Sequence, residues 1–137
     1  MQYISYYDSP LGRILLSCDT VGLTGAWFEG QKYFARTLQG EKTVTEETEV
    51  LLETKRWLDA YFSGKKTGVH VPLHPKGTPF QNDVWKILCT IPYGRVMTYK
   101  EIAEGVAKQR GIARMSCQAV GGAVGHNPIS ILIPCHR

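Results

Sequence analysis

Two helix-start signatures of one form, Thr78-Pro79-Phe80-Gln81 and Thr98-Tyr99-Lys100-Glu101, constrain the fold of this 137-residue chain more than any other feature. In each, the Thr side chain can accept from an amide in the first turn while the Gln or Glu reaches back to the Thr amide, so both begin helices. Pro79 adds a fixed φ at a position whose amide would have had no partner. Apolar residues then recur at helical spacing: Phe80, Val84, Trp85, Leu88 and Ile91 behind the first box, Ile102, Ala103 and Val106 behind the second. The first helix should end at Pro92-Tyr93-Gly94. Lys108-Gln109-Arg110-Gly111 reads as a basic loop leading toward Ser116, the N-cap of a third helix over about Cys117 to Val124. Gly125-His126-Asn127-Pro128 stops that helix. Helix, long turn, short helix is a helix-turn-helix arrangement.

The chain before these boxes has a different period. Tyr3 to Tyr7, Arg13 to Cys18 and Leu23 to Phe28 are β-prone runs separated by Ser9-Pro10-Leu11-Gly12 and Asp19-Thr20-Val21-Gly22, which is the pattern of an antiparallel meander. A helix follows, with Val50, Leu51, Trp57, Leu58, Tyr61 and Phe62 on one face, Thr43 and Glu46 as its expected capping box, and Ser63-Gly64 as its stop. The connection from Gly64 to Gly77 carries His70 and His74 at helical spacing, but Pro72 and Pro75 argue against the helix that would make them a metal pair. The expected architecture is α+β, with a scaffold domain over 1–76 and a helical domain over 77–137.

Charge separates the same two regions. Residues 1–75 carry 8 Lys+Arg against 9 Asp+Glu, and residues 76–137 carry 8 against 3, for nets of −1 and +5. Such asymmetry suits a polyanionic partner for the second half, although a solvated basic face would look the same. No apolar run approaches the roughly 18 residues of a membrane span, and 43% hydrophobic residues argue against global disorder. The start, MQYISYYDSPLGR, lacks the elements of an export signal, so a cytoplasmic location and reduced thiols are expected. Cys18, Cys89, Cys117 and Cys135 form no CxxC pair; the first three are expected to be packing residues.

Two features carry chemistry. Gly121 and Gly122 lie inside the third helix, where each costs about 0.5–1 kcal/mol relative to Ala. Either tight helix packing or close approach of a ligand such as a nucleic-acid strand would explain them. The segment Asn127-Pro128-Ile129-Ser130-Ile131-Leu132-Ile133 reads as a β-prone stretch that delivers Pro134-Cys135-His136-Arg137. A His and an Arg beside a thiol favour the thiolate, a soft nucleophile.

The Pro-Cys-His-Arg block after Asn-Pro-Ile-Ser-Ile-Leu-Ile resembles the active-site signature of the O6-alkylguanine-DNA alkyltransferases. The segments Phe80-Gln-Asn-Asp-Val-Trp-Lys-Ile-Leu, Ile91-Pro-Tyr-Gly-Arg-Val-Met-Thr-Tyr, Ser9-Pro-Leu-Gly and Gly25-Ala-Trp-Phe are similar to the family as well. The likeness implies an amino-terminal ribonuclease-H-like sheet with a helix, then a winged-helix-like DNA-binding and active-site domain. It implies single-turnover transfer of the alkyl group from guanine O6 to Cys135, with O4 of thymine as a second candidate, after the base flips out through the minor groove. The implied partner is double-stranded DNA containing O6-alkylguanine, bound by a monomer. No metal or other cofactor is implied.

Carried over by position, His136 takes the Cys135 proton through a water, and Asn127 orders the turn before the Cys segment. Tyr99 meets the flipped base or a nearby phosphate. Thr98, Gln118, Ala119, Gly121, Gly122, Arg114 and Arg137 face DNA, with Arg95, Lys100 and Arg110 as further phosphate contacts. Many relatives place an arginine where this chain has Gln118, which implies weaker or more salt-sensitive base extrusion. The family also continues for some tens of residues and supplies a Glu that orients the His; Glu101 and Glu104 do not match it. The second domain is therefore expected to be truncated after its Cys motif, as a piece of a normal protein. Were that segment truly absent, a non-catalytic alkylated-DNA-binding module or a DNA-binding regulator would be the alternative. A Cys-His hydrolase is disfavoured, since no oxyanion-hole motif is evident.

Overall fold

A computed structural model describes residues 1–65, 69–91 and 95–133. The chain forms two compact units, Met1–Lys76 with Pro128–Ser130, and Gly77–Asn127 with 131–133 among the described residues.

The first unit is built on a four-stranded sheet of order β3-β2-β1-β4. The expected meander is β1 (Gln2–Ser9), β2 (Gly12–Cys18) and β3 (Leu23–Phe28), each antiparallel to the next. β2 is central, and Ile14, Leu15, Leu16, Ser17 and Cys18 are buried on both of its faces. β4 (Thr43–Thr45) adds in parallel to the outer edge of β1. Thr43 is therefore a strand residue rather than a helix cap. The cap of α1 (Glu49–Phe62) is Thr48, whose hydroxyl accepts from the Leu51 amide at 3.3 Å. The helix packs against β1 and β2 through Leu51, Thr54, Trp57 and Leu58. Tyr61, expected on that inner face, is instead 40% exposed and stacks on Trp57 at 5.3 Å.

Polar groups inside this unit satisfy one another. The Thr24 hydroxyl donates to Gln2 Oε1 at 2.6 Å and lies 2.8 Å from the buried Ser17 hydroxyl. Asp19 accepts from the amides of Val21 (2.8 Å) and Gly22 (3.0 Å), and His74 Nδ1 and Lys76 Nζ stand 2.7 and 3.3 Å from it. Burial raises the Asp19 carboxyl, but these amide and side-chain contacts outweigh it and hold the pKa at about 2. His74 is thus tied to a carboxylate. The end of the 69–76 connection is also fixed by backbone: Leu23 N donates to Pro72 O at 2.8 Å and His74 N to Leu23 O at 2.7 Å.

In the second unit α2 (Pro79–Leu88), α3 (Tyr99–Arg110) and α4 (Cys117–Gly125) pack on one another. Both expected capping boxes form in full. α2 ends at Leu88, earlier than expected, and Pro92-Tyr93-Gly94 lie outside the described residues. Lys108, Gln109 and Arg110 are not a loop but the last turn of α3, closed by Gly111 in the left-handed region at φ 67°. Among the described residues no helix is long and apolar enough to cross a membrane.

The stretch 129–133 is not a strand. Ile129 makes an isolated parallel bridge to Ala26, with Ala26 N donating to Pro128 O at 2.8 Å and Ser130 N to Ala26 O at 2.9 Å. The chain then turns, with Ile131 at φ 72°. A β-branched residue reaches that region only when its surroundings impose it.

Candidate nucleic-acid interface

The second helix of the helix-turn-helix, α4, is seated from one side. Val120 and Ala123 are buried, and the Trp85 indole N–H donates to the Ala123 carbonyl at 2.9 Å. The other side presents Cys117, Gln118, Ala119 and Gly122 to solvent. Ser116 caps the helix as expected: its hydroxyl accepts from Ala119 N at 3.1 Å, and its carbonyl from Val120 N at 3.1 Å. The first turn of α4 holds no acidic residue and its last turn no basic one. Its outer surface is uncharged and, Gln118 aside, made of small residues.

The two glycines of α4 differ in what surrounds them. A Cβ at Gly121 would meet Tyr99 Cε2 at 3.1 Å and Cδ2 at 3.4 Å, whereas a Cβ at Gly122 would meet nothing within 4 Å among the described residues. Internal packing thus accounts for glycine at 121 and leaves glycine at 122 without any such reason.

Around this face stand several residues expected to serve it. Thr98 is the N-cap of α3, its hydroxyl accepting from Glu101 N at 3.1 Å. The Thr98 amide donates to the Glu101 carboxylate at 3.0 Å, and this bond, ahead of the Thr98 hydroxyl beside the carboxylate, pulls the Glu101 pKa down. Tyr99 follows in the first turn of α3 and is 51% exposed. Arg95, Lys100 and Arg114 are exposed as well. Lys100, Arg114, Met115 and Cys117 line an open cleft of about 320 Å³ between α3 and the start of α4. Arg110 differs from these, because its guanidinium is held by Asp83 at 2.8 Å and lies over Phe80 at 5.7 Å.

At the far end of α4, Asn127 Nδ2 donates to the Ile133 carbonyl at 2.6 Å, closing the turn just before the Pro-Cys-His-Arg block. Cys135, His136 and Arg137 themselves lie outside the described residues. Of the cysteines expected to be packing residues, only Cys18 is buried, while Cys89 and Cys117 are exposed. Burial, ahead of the opposing hydrogen bond from Thr48, pushes the Cys18 thiol up. Among the described residues no group of three or more His, Cys, Asp or Glu could hold a metal.

Sequence reasoning passed over His126 except as a helix stop. Its Nδ1 donates to the Gly122 carbonyl at 2.8 Å, so the ring is oriented by the backbone of α4 itself. A histidine directly after a helix, within one turn of unpaired carbonyls, is the signal that was available. The hydrogen bond from Trp85 was available in the same way, since a buried indole N–H requires an acceptor.

A helix-turn-helix whose second helix offers a bare, capped and uncharged face, with exposed basic residues beside it, places the second unit in the class of helix-turn-helix DNA-binding domains. Comparison with known proteins narrows the class. Residues 79–137 match the family model for the 6-O-methylguanine DNA methyltransferase DNA binding domain, and residues 2–75 match the ribonuclease-like domain of the same proteins. The chain is 43% identical over 141 residues to a methylated-DNA–protein-cysteine methyltransferase of Methanosarcina barkeri, covering 96% of this chain and 80% of the relative. A relative of the same name in Haemophilus influenzae is 38% identical, with 98% and 72% covered. Among solved structures, Mycobacterium tuberculosis O6-methylguanine methyltransferase aligns with a TM-score of 0.78 at 37% identity, over 98% of this chain and 76% of that one. Mycobacterium tuberculosis OGT in complex with DNA gives 0.79 at 34% identity, over 97% and 75%. The chain belongs to the methylated-DNA–protein-cysteine methyltransferase family.

Proposed function

We propose that this protein repairs O6-alkylguanine in double-stranded DNA by moving the alkyl group onto Cys135, once per molecule. The observation that carries the reading is the match of residues 79–137, which include the Pro134-Cys135-His136-Arg137 block, to the family's DNA-binding domain. The exposed face of α4 supports it, because small residues such as Ala119 and Gly122 let a helix backbone approach the confined minor groove.

In this reading the Gly122 side of α4 lies against the DNA, with Gln118 and Ala119 at its leading end. The amides of Cys117 and Gln118 precede the two that Ser116 caps and point to a helix N-terminus, where anionic phosphate is favoured. Lys100, Arg95 and Arg114 supply further phosphate contacts, while Arg110 stays with Asp83. The damaged base leaves the stack at a cost of a few kcal/mol, lower for a damaged base, and Tyr99 meets it or the phosphate beside it. Gln118 takes the vacated position without a charge, so extrusion depends more on salt than in an arginine-bearing relative.

The thiol proton of Cys135 passes to His136 through a water. A bond then forms between Sγ and the alkyl carbon as the carbon–O6 bond breaks. The electron pair stays with guanine, which takes up a proton and is restored. Asn127, by holding the Ile133 carbonyl, fixes the approach of the segment that carries the thiol. The thioether product is not a substrate for thiol exchange, so the protein is consumed. The protein acts as a cytoplasmic monomer, and alkyl transfer itself uses no metal, since the carbon is already electrophilic.

The test is incubation with excess duplex carrying labelled O6-methylguanine, followed by peptide mass analysis. One added CH2 per chain on Cys135, absent in Cys135→Ser, is the expected result. Label released over repeated turnovers would overturn alkyl transfer in favour of hydrolysis. Tight binding with no label on the protein would leave a damage-binding module.

A further inference from the structure

Gly121 stands at a contact both of whose sides are already fixed. The Thr98–Glu101 capping box sets the backbone at Tyr99, the first residue of α3. The Trp85 bond to Ala123 and the burial of Val120 set the position of α4. Between them the Tyr99 ring reaches α4, where a Cβ on residue 121 would lie 3.1, 3.4 and 3.7 Å from Cε2, Cδ2 and Cζ. Tyr99 as a residue is 51% exposed, so the core does not enclose it. What it rests on decides where its hydroxyl goes.

We propose that Gly121 is a positioning residue for Tyr99: the absent side chain forms the slot that seats the ring against α4 and thereby aims the Tyr99 hydroxyl at the nucleic acid. This rests on the alkyl-transfer reading, and it assigns the adjacent glycines different work. Gly122 is open on the outer face, where nothing among the described residues requires its bareness. Gly121 is bare for the sake of a neighbouring side chain. A methyl group at 121 pushes the ring edge outward by a few tenths of an ångström. The hydroxyl, further from the pivot at the Tyr99 Cβ, swings more than the edge does. Displacements of this order in a group that orients a reacting partner reduce rates severalfold.

A double-mutant cycle on the full chain tests the slot. Gly121→Ala is expected to lower the single-turnover transfer rate roughly three- to tenfold in the otherwise native protein and less than twofold in a Tyr99→Ala background. An equal loss in both backgrounds would overturn the proposal, because Gly121 would then act on DNA without Tyr99. If transfer in the Tyr99→Ala background is too slow to follow, duplex affinity carries the same cycle with the same criterion. A second readout needs no activity. The Tyr99 ring resonances, identified by their loss in Tyr99→Phe, should shift in Gly121→Ala and stay in place in Gly122→Ala. Unmoved resonances in Gly121→Ala would overturn the slot. Absence of label on Cys135 in the unsubstituted protein would instead sink the alkyl-transfer reading and leave the resonance result to decide the slot by itself.

Discussion

The two units treat their polar and backbone groups in opposite ways. In the first, polar side chains close on one another: Gln2, Thr24 and Ser17 form a buried chain, Asp19 gathers two amides, His74 and Lys76, and Lys55 pairs with Glu47 at 2.9 Å beside Ser5. In the second, α3 is capped at both ends and α4 is held by Ser116, the Trp85 bond and two buried residues, with glycine exposed on its outer face. A fold selected only for stability would place Ala at Gly122. The contrast separates a unit whose polar side chains close on one another from one that leaves a helix face open.

The strongest way to break this contrast is to remove the seat of α4. Trp85→Ala should lower the unfolding free energy by about 3–5 kcal/mol, read from the urea midpoint, and reduce duplex affinity with it. A loss of stability without any loss of affinity would mean that α4 is not the interface. Thr24→Val strikes the corresponding point in the first unit, leaving Ser17 and Gln2 without their shared partner. Its expected cost is about 1–3 kcal/mol by the same measurement, with the transfer rate of the folded fraction unchanged. Gly122→Ala should change sign between the two properties: it gains about 0.5–1 kcal/mol of stability from helix propensity while duplex binding weakens. Unaltered binding would make the open glycine an accident of the helix.

The last effect is read through its pH dependence, which falls in the acid range. The Asp19 carboxyl lies at about 2 against an ordinary value of 3.8, so its contribution to stability is complete above the unfolded value and is lost as pH falls through the folded one. Asp19→Asn should therefore differ from the native protein at neutral pH, and the difference should shrink between about pH 4 and pH 2 in acid titrations of stability. A difference independent of pH over that range would show that the carboxylate charge contributes nothing to the clamp.

Much of this was legible from residue types at fixed spacing. Thr-x-x-Gln and Thr-x-x-Glu act within one turn, so both capping boxes and the N-cap at Ser116 could be placed from the chain alone. The meander was legible for the same reason, since its turns are local. β4 was not. Thr43-Val44-Thr45 is short and exposed, and its pairing with Gln2, Tyr3 and Ile4 joins residues far apart in sequence. With the strand hidden, Thr43 looked like a cap, and the true cap at Thr48 was missed. Arg110 looked like a free cation because Asp83, on another helix, gives no local sign of the pairing.

The sequence by itself determined where the three helices of the second unit begin, which half is basic, and that a cysteine flanked by Pro, His and Arg follows Asn127-Pro128, because each of these is a local or additive property of the chain. Only the tertiary structure decided which glycine of α4 faces a ring and which faces solvent. Adjacent residues of a helix point about 100° apart, and what each meets depends on elements that sequence distance does not encode.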